Sequence, residues 1–487
     1  MEPNNFFVTG KEVPRMRSRH PASFRAQLGT LRRQFLQDGN LPFTDVLTEE
    51  VIAQALAAVT GWLDRVFSPL VTLWVFLGQV LSADHSCRAA VARLIAHRLA
   101  RGQRPCSPQT GAYCQARRRL PESFLAGVAR QTGRALEAAV DPRWLWKGRH
   151  VYLFDGTTVT MPDTRENQAA YPQVYNQKPG LGFPIARVGA LISLACGAVV
   201  NLGACQYAGK GQGEVSLLRR LWDALRPGDL LLTDALMANW ANIVMLKQRG
   251  IELVGRLNKA HRTADFRRGQ RLGQEDHVVH WRKPTSIRSL DRQSYQALPE
   301  SVTVRETRVR VAQPGFRTKA VVVVTTLLDP RQATKDELAA LYRARWHNEL
   351  DLRSIKSTMQ MGALRCKTPE MVRKEIWAHV LAYNLIRTVM AQAAATHDLL
   401  PRSISFKGAL QTLEAFQPLL ELQADRGGAH RLGLYQDLLR AIATHRVGDR
   451  PDRFEPRLKK RRRNNYDWLT SPRSEVKRKM AKGLIVI

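Results

Sequence analysis

Val151-Tyr152-Leu153-Phe154-Asp155-Gly156-Thr157-Thr158-Val159 is where the sequence changes texture. Before it, from about Ser23 to Ala139, apolar residues recur at helical spacing, as in Val51-Ile52, Ala55-Leu56 and Val59. Here β-branched and aromatic residues run together at strand length, so a sheet begins. Ala186–Leu194 and Ala198–Tyr207 continue it as two strands across Cys196-Gly197. Glu214–Leu225 then reads as a helix, and Leu230–Thr233 as a short apolar strand ending at Asp234. A helix over Asn239–Gln248 and a strand at Ile251–Arg256 follow. Helices connect these later strands, which predicts that they run parallel in an α/β layer.

Further on, 258–330 is strand-like and strongly basic, with alternation in Val302–Val311 and a β-branched run over Thr318–Leu328. It interrupts the α/β layer. Long helices are predicted over Asp336–Met359 and Pro369–Ala395, with more helix to about Thr444 and a polar, basic tail beyond. A chain of 487 residues has room for several domains of ~100–200 residues. The expected layout is a helical unit over 1–145, an α/β unit split between 146–256 and 336–400, a β-strand insertion over 257–335, and a helical segment with a basic tail over 401–487.

The charge points to a class of partner. Lys and Arg number 75 against 42 Asp and Glu, a net +33, and self-repulsion on this scale is kept where a polyanion is bound, nucleic acid above all. Membrane insertion is not expected, because Val66–Ala83 and Val188–Cys205 are both interrupted and short of the ~20 apolar residues of a spanning helix. The N-terminus carries no basic region followed by an apolar one, so a cytoplasmic protein is expected. Six scattered cysteines form no zinc-spaced cluster and read as reduced thiols. Asp84–Arg101 and Ser107–Leu120 read as two helices, the second ending in Arg117-Arg118-Arg119. They suit a helix-turn-helix, and equally a helical hairpin with a basic edge.

Asp155 and Asp234 each close an apolar strand of the same predicted sheet, where open α/β layers place ligand-binding groups. Carboxylates on adjacent strand ends can share divalent metals. Singly, each has a plainer reading: Asp155-Gly156 is a turn dipeptide, and Asp234 can cap the next helix. A third element bears on both. In Leu341-Tyr342-Arg343-Ala344-Arg345-Trp346-His347-Asn348-Glu349-Leu350-Asp351-Leu352-Arg353-Ser354-Ile355-Lys356, the residues Tyr342, Arg345, Glu349 and Lys356 fall at i, i+3, i+7 and i+14. At ~100° per residue they lie within about 60° of one another on a helix. One face thus gathers a phenol, a carboxylate and two cations, with Arg353 close to the same line. An exposed Arg345–Glu349–Arg353 ion-pair ladder is the plainer alternative.

The spacing Y-x2-R-x3-E-x6-K resembles the signature of the DDE transposases of insertion-sequence family 4. The resemblance extends to Asp155 within Phe154-Asp155-Gly156-Thr157, to Asp234 within Leu232-Thr233-Asp234, to the strand-rich insertion and to the basic tail. It implies an RNase H-like mixed sheet flanked by helices, in which Asp155, Asp234 and Glu349 hold two Mg²⁺ ions, with Mn²⁺ able to substitute. Such a pair, ~3.5–4 Å apart, clamps an in-line displacement at phosphorus. By the same resemblance Arg345 and Lys356 neutralise phosphates and Tyr342 donates a hydrogen bond to one. Relatives of this kind can excise through hairpin ends, and Trp281 in the insertion is the candidate stacking partner for a flipped base. Arg117, Arg118, Arg119 and Arg353, with Lys459, Lys460 and Arg461 of the tail, are read as further phosphate contacts.

The function expected is cut-and-paste transposition in the bacterial cytoplasm, at the nucleoid. Two protomers would pair two terminal inverted repeats of double-stranded DNA and join their 3′ ends to target DNA. The alternatives are an RNase H-like nuclease or resolvase that cuts without joining, and a transposase-derived protein that only binds DNA.

Overall fold

A computed structural model describes residues 21–38, 41–60, 65–287, 289–310, 320–423, 427–448 and 469–484. Among the described residues six α-helices come first: α1 (Pro21–Gln34), α2 (Glu49–Leu56), α3 (Pro69–Leu81), α4 (Cys87–Ala100), α5 (Gly111–Arg119) and α6 (Glu122–Ala138). Serine starts two of them, since the Ser68 and Ser86 hydroxyls accept the otherwise unpaired N–H groups of Val71 and Ala89. The mixed layer follows as β1 (Val151–Thr160), α7 (Arg165–Ala170), β2 (Ile185–Ser193), β3 (Val199–Gln206), α8 (Glu214–Leu221), β4 (Leu230–Leu232), α9 (Trp240–Gln248) and β5 (Glu252–Arg256). Next come β6 (Gln270–Gly273), β7 (Asp276–Arg282), α10 (Arg292–Gln296), β8 (Ser301–Arg310) and β9 (Ala320–Thr325). Helices α11 (Lys335–Ala344), α12 (Trp346–Arg353), α13 (Pro369–Thr396), α14 (Phe406–Leu422), α15 (Gly428–Thr444) and α16 (Arg473–Ala481) follow among the described residues.

The nine strands among the described residues join one sheet in the order β3-β2-β1-β4-β5-β9-β8-β7-β6. As the helical connections require, β4 runs parallel to β1 and to β5, while β2 pairs antiparallel with β1, across a connection that holds α7, and with β3 as a hairpin. Strand β9 pairs antiparallel with β5, so the strands of 257–335 extend the sheet instead of forming a separate one. Alternation along β1 divides the core. Val151, Leu153 and Val159 face a core shared with α13 and the first helices, while Tyr152 and Phe154 face one built with α8 and α9.

Helix α13 is buried around nearly its whole circumference, and its polar residues act as connectors. The Asn384 amide donates to Ala129 O on α6 and Val199 O on β3 and accepts the Val199 N–H, at 3.0, 2.9 and 2.8 Å. Gly133 on α6 meets the same strand so closely that an added Cβ would lie 2.2 Å from Val199 O. Gly133→Ala must therefore push α6 off the sheet, at a cost of about 1–3 kcal/mol. A thermal-unfolding midpoint within a degree of wild type would show that α6 has slack there.

The single helix predicted over Asp336–Met359 is corrected by the structure to α11 and α12, broken at Arg345, followed by a π-helical turn over Ser354–Thr358. Thr334 and Glu337 form a reciprocal capping box at the start of α11. After the π turn, the chain folds back onto β1: Thr160 N–H and hydroxyl both donate to Gly362 O, at 3.0 and 3.1 Å.

Candidate active site

The parallel ladder of β1 and β4 ends at the pair Leu153–Leu232. Asp155 and Asp234 each follow two residues later, so the pairing register brings both carboxylates to the same level just past the end of β4; Asp155 does not close its strand as the sequence suggested, because β1 runs on to Thr160 along β2. His150 O accepts from Leu230 N on β4, and Val151 O from Leu194 N beyond β2. The even-numbered residues of β1 therefore turn their peptide groups toward β4. That strand stops short of Gly156, whose N–H is taken instead by Asp155 Oδ1 at 2.7 Å. The Asp155 carboxylate is thus curled to the strand edge that β4 leaves open. Asp234 is fixed by a local turn, its Oδ1 accepting the N–H groups of Leu236 and Met237, both at 3.0 Å.

Arg345, at the break between α11 and α12, links this edge to Glu349. Its Nη2 lies 3.0 Å from Glu349 Oε1 and its Nη1 3.9 Å from Asp155 Oδ2. Burial works against the Arg345 charge, but Tyr342, Glu349 and Asp155 more than offset it and hold the guanidinium above its ordinary value. Burial is also the largest cause acting on Asp155, and it pushes that carboxyl up to about 6. The Gly156 N–H and Arg345 oppose the shift, while Asp234 and Glu214 add to it. Burial raises the Tyr342 phenol, with Asp234 adding to the shift and Arg345 and Arg256 resisting it. Tyr342, Arg345, Asp155 and Asp234 therefore share one electrostatic neighbourhood. Lys356 lies on the π turn that Gly362 and Thr160 tie to β1.

The donor set at this edge is hard carboxylate oxygen, the chemistry that Mg²⁺ and similar ions take. Among the described residues no three His, Cys, Asp or Glu side chains stand close enough to grip one ion. What stands between Asp155 and Glu349 is the Arg345 guanidinium, a cation matching the charge that the carboxylates call for.

A family model described as Transposase DDE domain matches residues 146–385, which contain this edge and the whole Tyr342–Lys356 stretch. The transposase InsG for insertion sequence element IS4 of Escherichia coli (strain K12) is 28% identical over 452 residues, covering 88% of this chain and 93% of the relative. The domain match together with the near-full-length likeness to the IS4 transposase supports a DDE transposase of insertion-sequence family 4. The putative transposase InsL for IS186A, also from Escherichia coli (strain K12), is 31% identical over 114 residues, 22% of this chain and 30% of its own length. A solved piggyBac transposase synaptic complex with hairpin DNA aligns over 85% of both chains at 8% identity and a TM-score of 0.43, a likeness too loose to weigh. Like the family, this transposase is a DNA-cleaving and strand-transferring enzyme, and DDE transposase domains use divalent metal ions.

Two DNA contacts expected from the sequence are corrected by the transposase structure. Trp281 is buried, 3% exposed, with its indole N–H donating to Glu306 Oε1 at 2.7 Å and the Arg262 guanidinium over its ring. The buried Glu306 of β8 needs donors, and Trp281 and His277 of β7 supply them. Arg117 is likewise interior: it lies over the rings of Phe76 and Tyr113 and donates to Gln79 Oε1 and Cys87 Sγ. Its neighbours Arg118 and Arg119 are exposed at the end of α5, and Arg353 is exposed at the end of α12. Lys459, Lys460 and Arg461 lie outside the described residues. Trp240 is buried, donating its N–H to Trp281 O, whereas Trp346, directly after Arg345, is 47% exposed. No helix among the described residues is long and apolar enough to cross a membrane.

Proposed function

We propose that Asp155, Asp234 and Glu349 are the catalytic carboxylates with which this transposase cuts the ends of its insertion sequence and joins the 3′ ends to target DNA. The observation that carries the reading is the shared register of Asp155 and Asp234 beyond the last β1–β4 pair, with Glu349 bound to the same edge through Arg345. These three side chains would hold two Mg²⁺ ions, or Mn²⁺ in their place. When bound, the ions supply a polarised nucleophile and charge stabilisation for an in-line displacement at phosphorus. Arg345 and Lys356 neutralise phosphate oxygens beside the cut, and the Tyr342 phenol donates to one of them. Arg345 then exchanges its carboxylate partners for phosphate, and the carboxylates it leaves are free for metal.

The first five strands, in the order β3-β2-β1-β4-β5 with β2 reversed, support an RNase H-like catalytic unit. In this reading 146–256 and 336–400 make up that unit, 257–335 is its insertion and 401–487 the helical segment with its basic tail. Residues 1–145 bind DNA, with Arg118 and Arg119 on the phosphate backbone and Arg353 nearer the cut. Two protomers pair two terminal inverted repeats, in the bacterial cytoplasm at the nucleoid. For excision through hairpin ends, the exposed ring next to Arg345, that of Trp346, is open to a displaced base.

The test is a labelled duplex carrying the element's own end, with a target plasmid, incubated with Mg²⁺ or with EDTA. Cleavage and joined products are expected with Mg²⁺ alone. Cleavage without joining would move the reading to a nuclease, and binding without cleavage to a DNA-binding relative. A pH dependence follows from Asp155. With its carboxyl near 6 in the free protein, a proton competes with the cation below that pH. Apparent Mg²⁺ affinity, followed by calorimetry, should fall up to about tenfold per unit as pH drops below 6. A flat profile between pH 5 and 7 would remove Asp155 from the metal site.

A further inference from the structure

A row of glycines crosses the sheet beside Asp155. Gly156 on β1 is paired with Gly189 on β2, and Gly189 with Gly203 on β3. Helix α8 lies directly on this row. A Cβ at Gly189 would come within 2.7 Å of the Leu217 side chain, one at Gly203 within 3.0 Å of it, and one at Gly156 within 2.9 Å of Glu214 Cγ and 3.0 Å of its Oε1. None of these three glycines is among those with positive φ, so backbone conformation is not what calls for glycine there. The missing side chains let α8 approach, and its first residue thereby sets a carboxylate against the backbone of Gly156. That carboxylate and Asp155 flank one strand on opposite faces, at the level where β4 no longer covers the edge. Arg187 on β2 holds Glu214 at 2.5 Å, donates to Tyr207 O at 3.1 Å and lies over the Tyr207 ring. Its buried Nε has no hydrogen-bond partner.

We propose that Glu214 is a fourth acidic residue of the active site, a positioning residue that strengthens the hold of the Asp155 edge on a divalent cation. This deepens the proposed function and depends on Asp155 being a metal ligand. Glu214 acts from behind the strand, by its charge and through water at the uncovered edge, and Arg187 competes with the cation for it. A helix-starting glutamate paired to an arginine would otherwise need neither the glycine row nor a seat on Gly156.

The test is Mn²⁺ titration of the metal-free full-length protein, without DNA, followed by electron paramagnetic resonance. Glu214→Gln should weaken Mn²⁺ binding by about 10- to 100-fold, the loss usual for a residue supporting a ligand from outside the coordination shell. Glu214→Asp should recover part of it. Arg187→Gln, which removes the competing cation, should bind at least as tightly as wild type. Unchanged binding in Glu214→Gln overturns the proposal, and so does equal weakening in the Glu214 and Arg187 variants, which would make the pair merely a clasp for α8. Asp155→Asn separates the two readings: if it too binds as wild type, the assignment of the active site itself has failed.

Discussion

Glu349→Gln should lose DNA cleavage and strand transfer by on the order of a hundred- to a thousandfold or more while keeping its grip on the element end. Removing a single preorganised electrostatic group from an active site costs about that much, and here the group is also a proposed metal ligand. Glutamine keeps the shape of the side chain, so α12 has no reason to move, but it carries no charge with which to hold a hard cation. The variant has a second consequence. Glu349 is the nearest partner of Arg345, at 3.0 Å, and neutralising it leaves the guanidinium freer to meet phosphate. End binding measured by fluorescence anisotropy should therefore hold or tighten, whereas Arg345→Ala should weaken it and flatten its salt dependence. Cleavage within about tenfold of wild type in Glu349→Gln would remove that residue from the catalytic set. Loss of binding together with cleavage would mean that Glu349 orders the site instead of acting in it.

What the sequence made legible was local, and what it hid was pairing. Strands β1 and β4 could be placed because each starts as an apolar run leading to an aspartate, although β1 continues past Asp155 to Thr160, and the spacing from Tyr342 to Lys356 needed only helical periodicity. The attachment of β9 to β5 was hidden, because a long connection carries no record of which edge its strand returns to. Burial of cations was hidden for the same reason. A strand reading Ser301-Val302-Thr303-Val304-Arg305-Glu306-Thr307 looks half-solvated, yet Arg305 is fully buried because Asp276 across the β7–β8 pair meets it at 2.6 and 2.8 Å. Arg117 and Trp281 follow the same logic, since each satisfies a buried polar group far away in sequence. Glu214 left one trace, a glycine followed by an acid at the start of a helix, but the glycine row acquires its meaning only when three strands are laid side by side.

Asp351→Ala should be among the most damaging substitutions to the fold, for a reason that also bears on catalysis. Asp351 lies on α12 two residues after Glu349 and is 1% exposed. Its carboxylate pairs with Arg387 of α13 and with Arg402, at 2.6 Å in the second case. Arg402 in turn donates to Ser193 O and Leu194 O at the end of β2, and Arg387 to the Tyr383 hydroxyl. Gly197, in the turn between β2 and β3, makes room for that guanidinium, since a Cβ there would lie 2.8 Å from Arg387. One carboxylate thus joins the helix that carries Glu349 to the central helix and to the strand beside Asp155. Replacing a buried pair by apolar groups can be nearly neutral, but deleting one partner strands the charges left behind, at about 3–5 kcal/mol. Asp351→Ala leaves two guanidinium groups uncompensated. Its denaturant midpoint should drop accordingly, and Asp351→Ala combined with Arg402→Met should recover part of the loss, the coupling that a double-mutant cycle isolates. Cleavage should fall even in the fraction that stays folded, because α12 has lost its tie to the sheet and Glu349 its fixed distance from Asp155. A destabilisation below about 1 kcal/mol, or strict additivity with Arg402→Met, would mean that packing alone seats α12 and that the charges are bystanders.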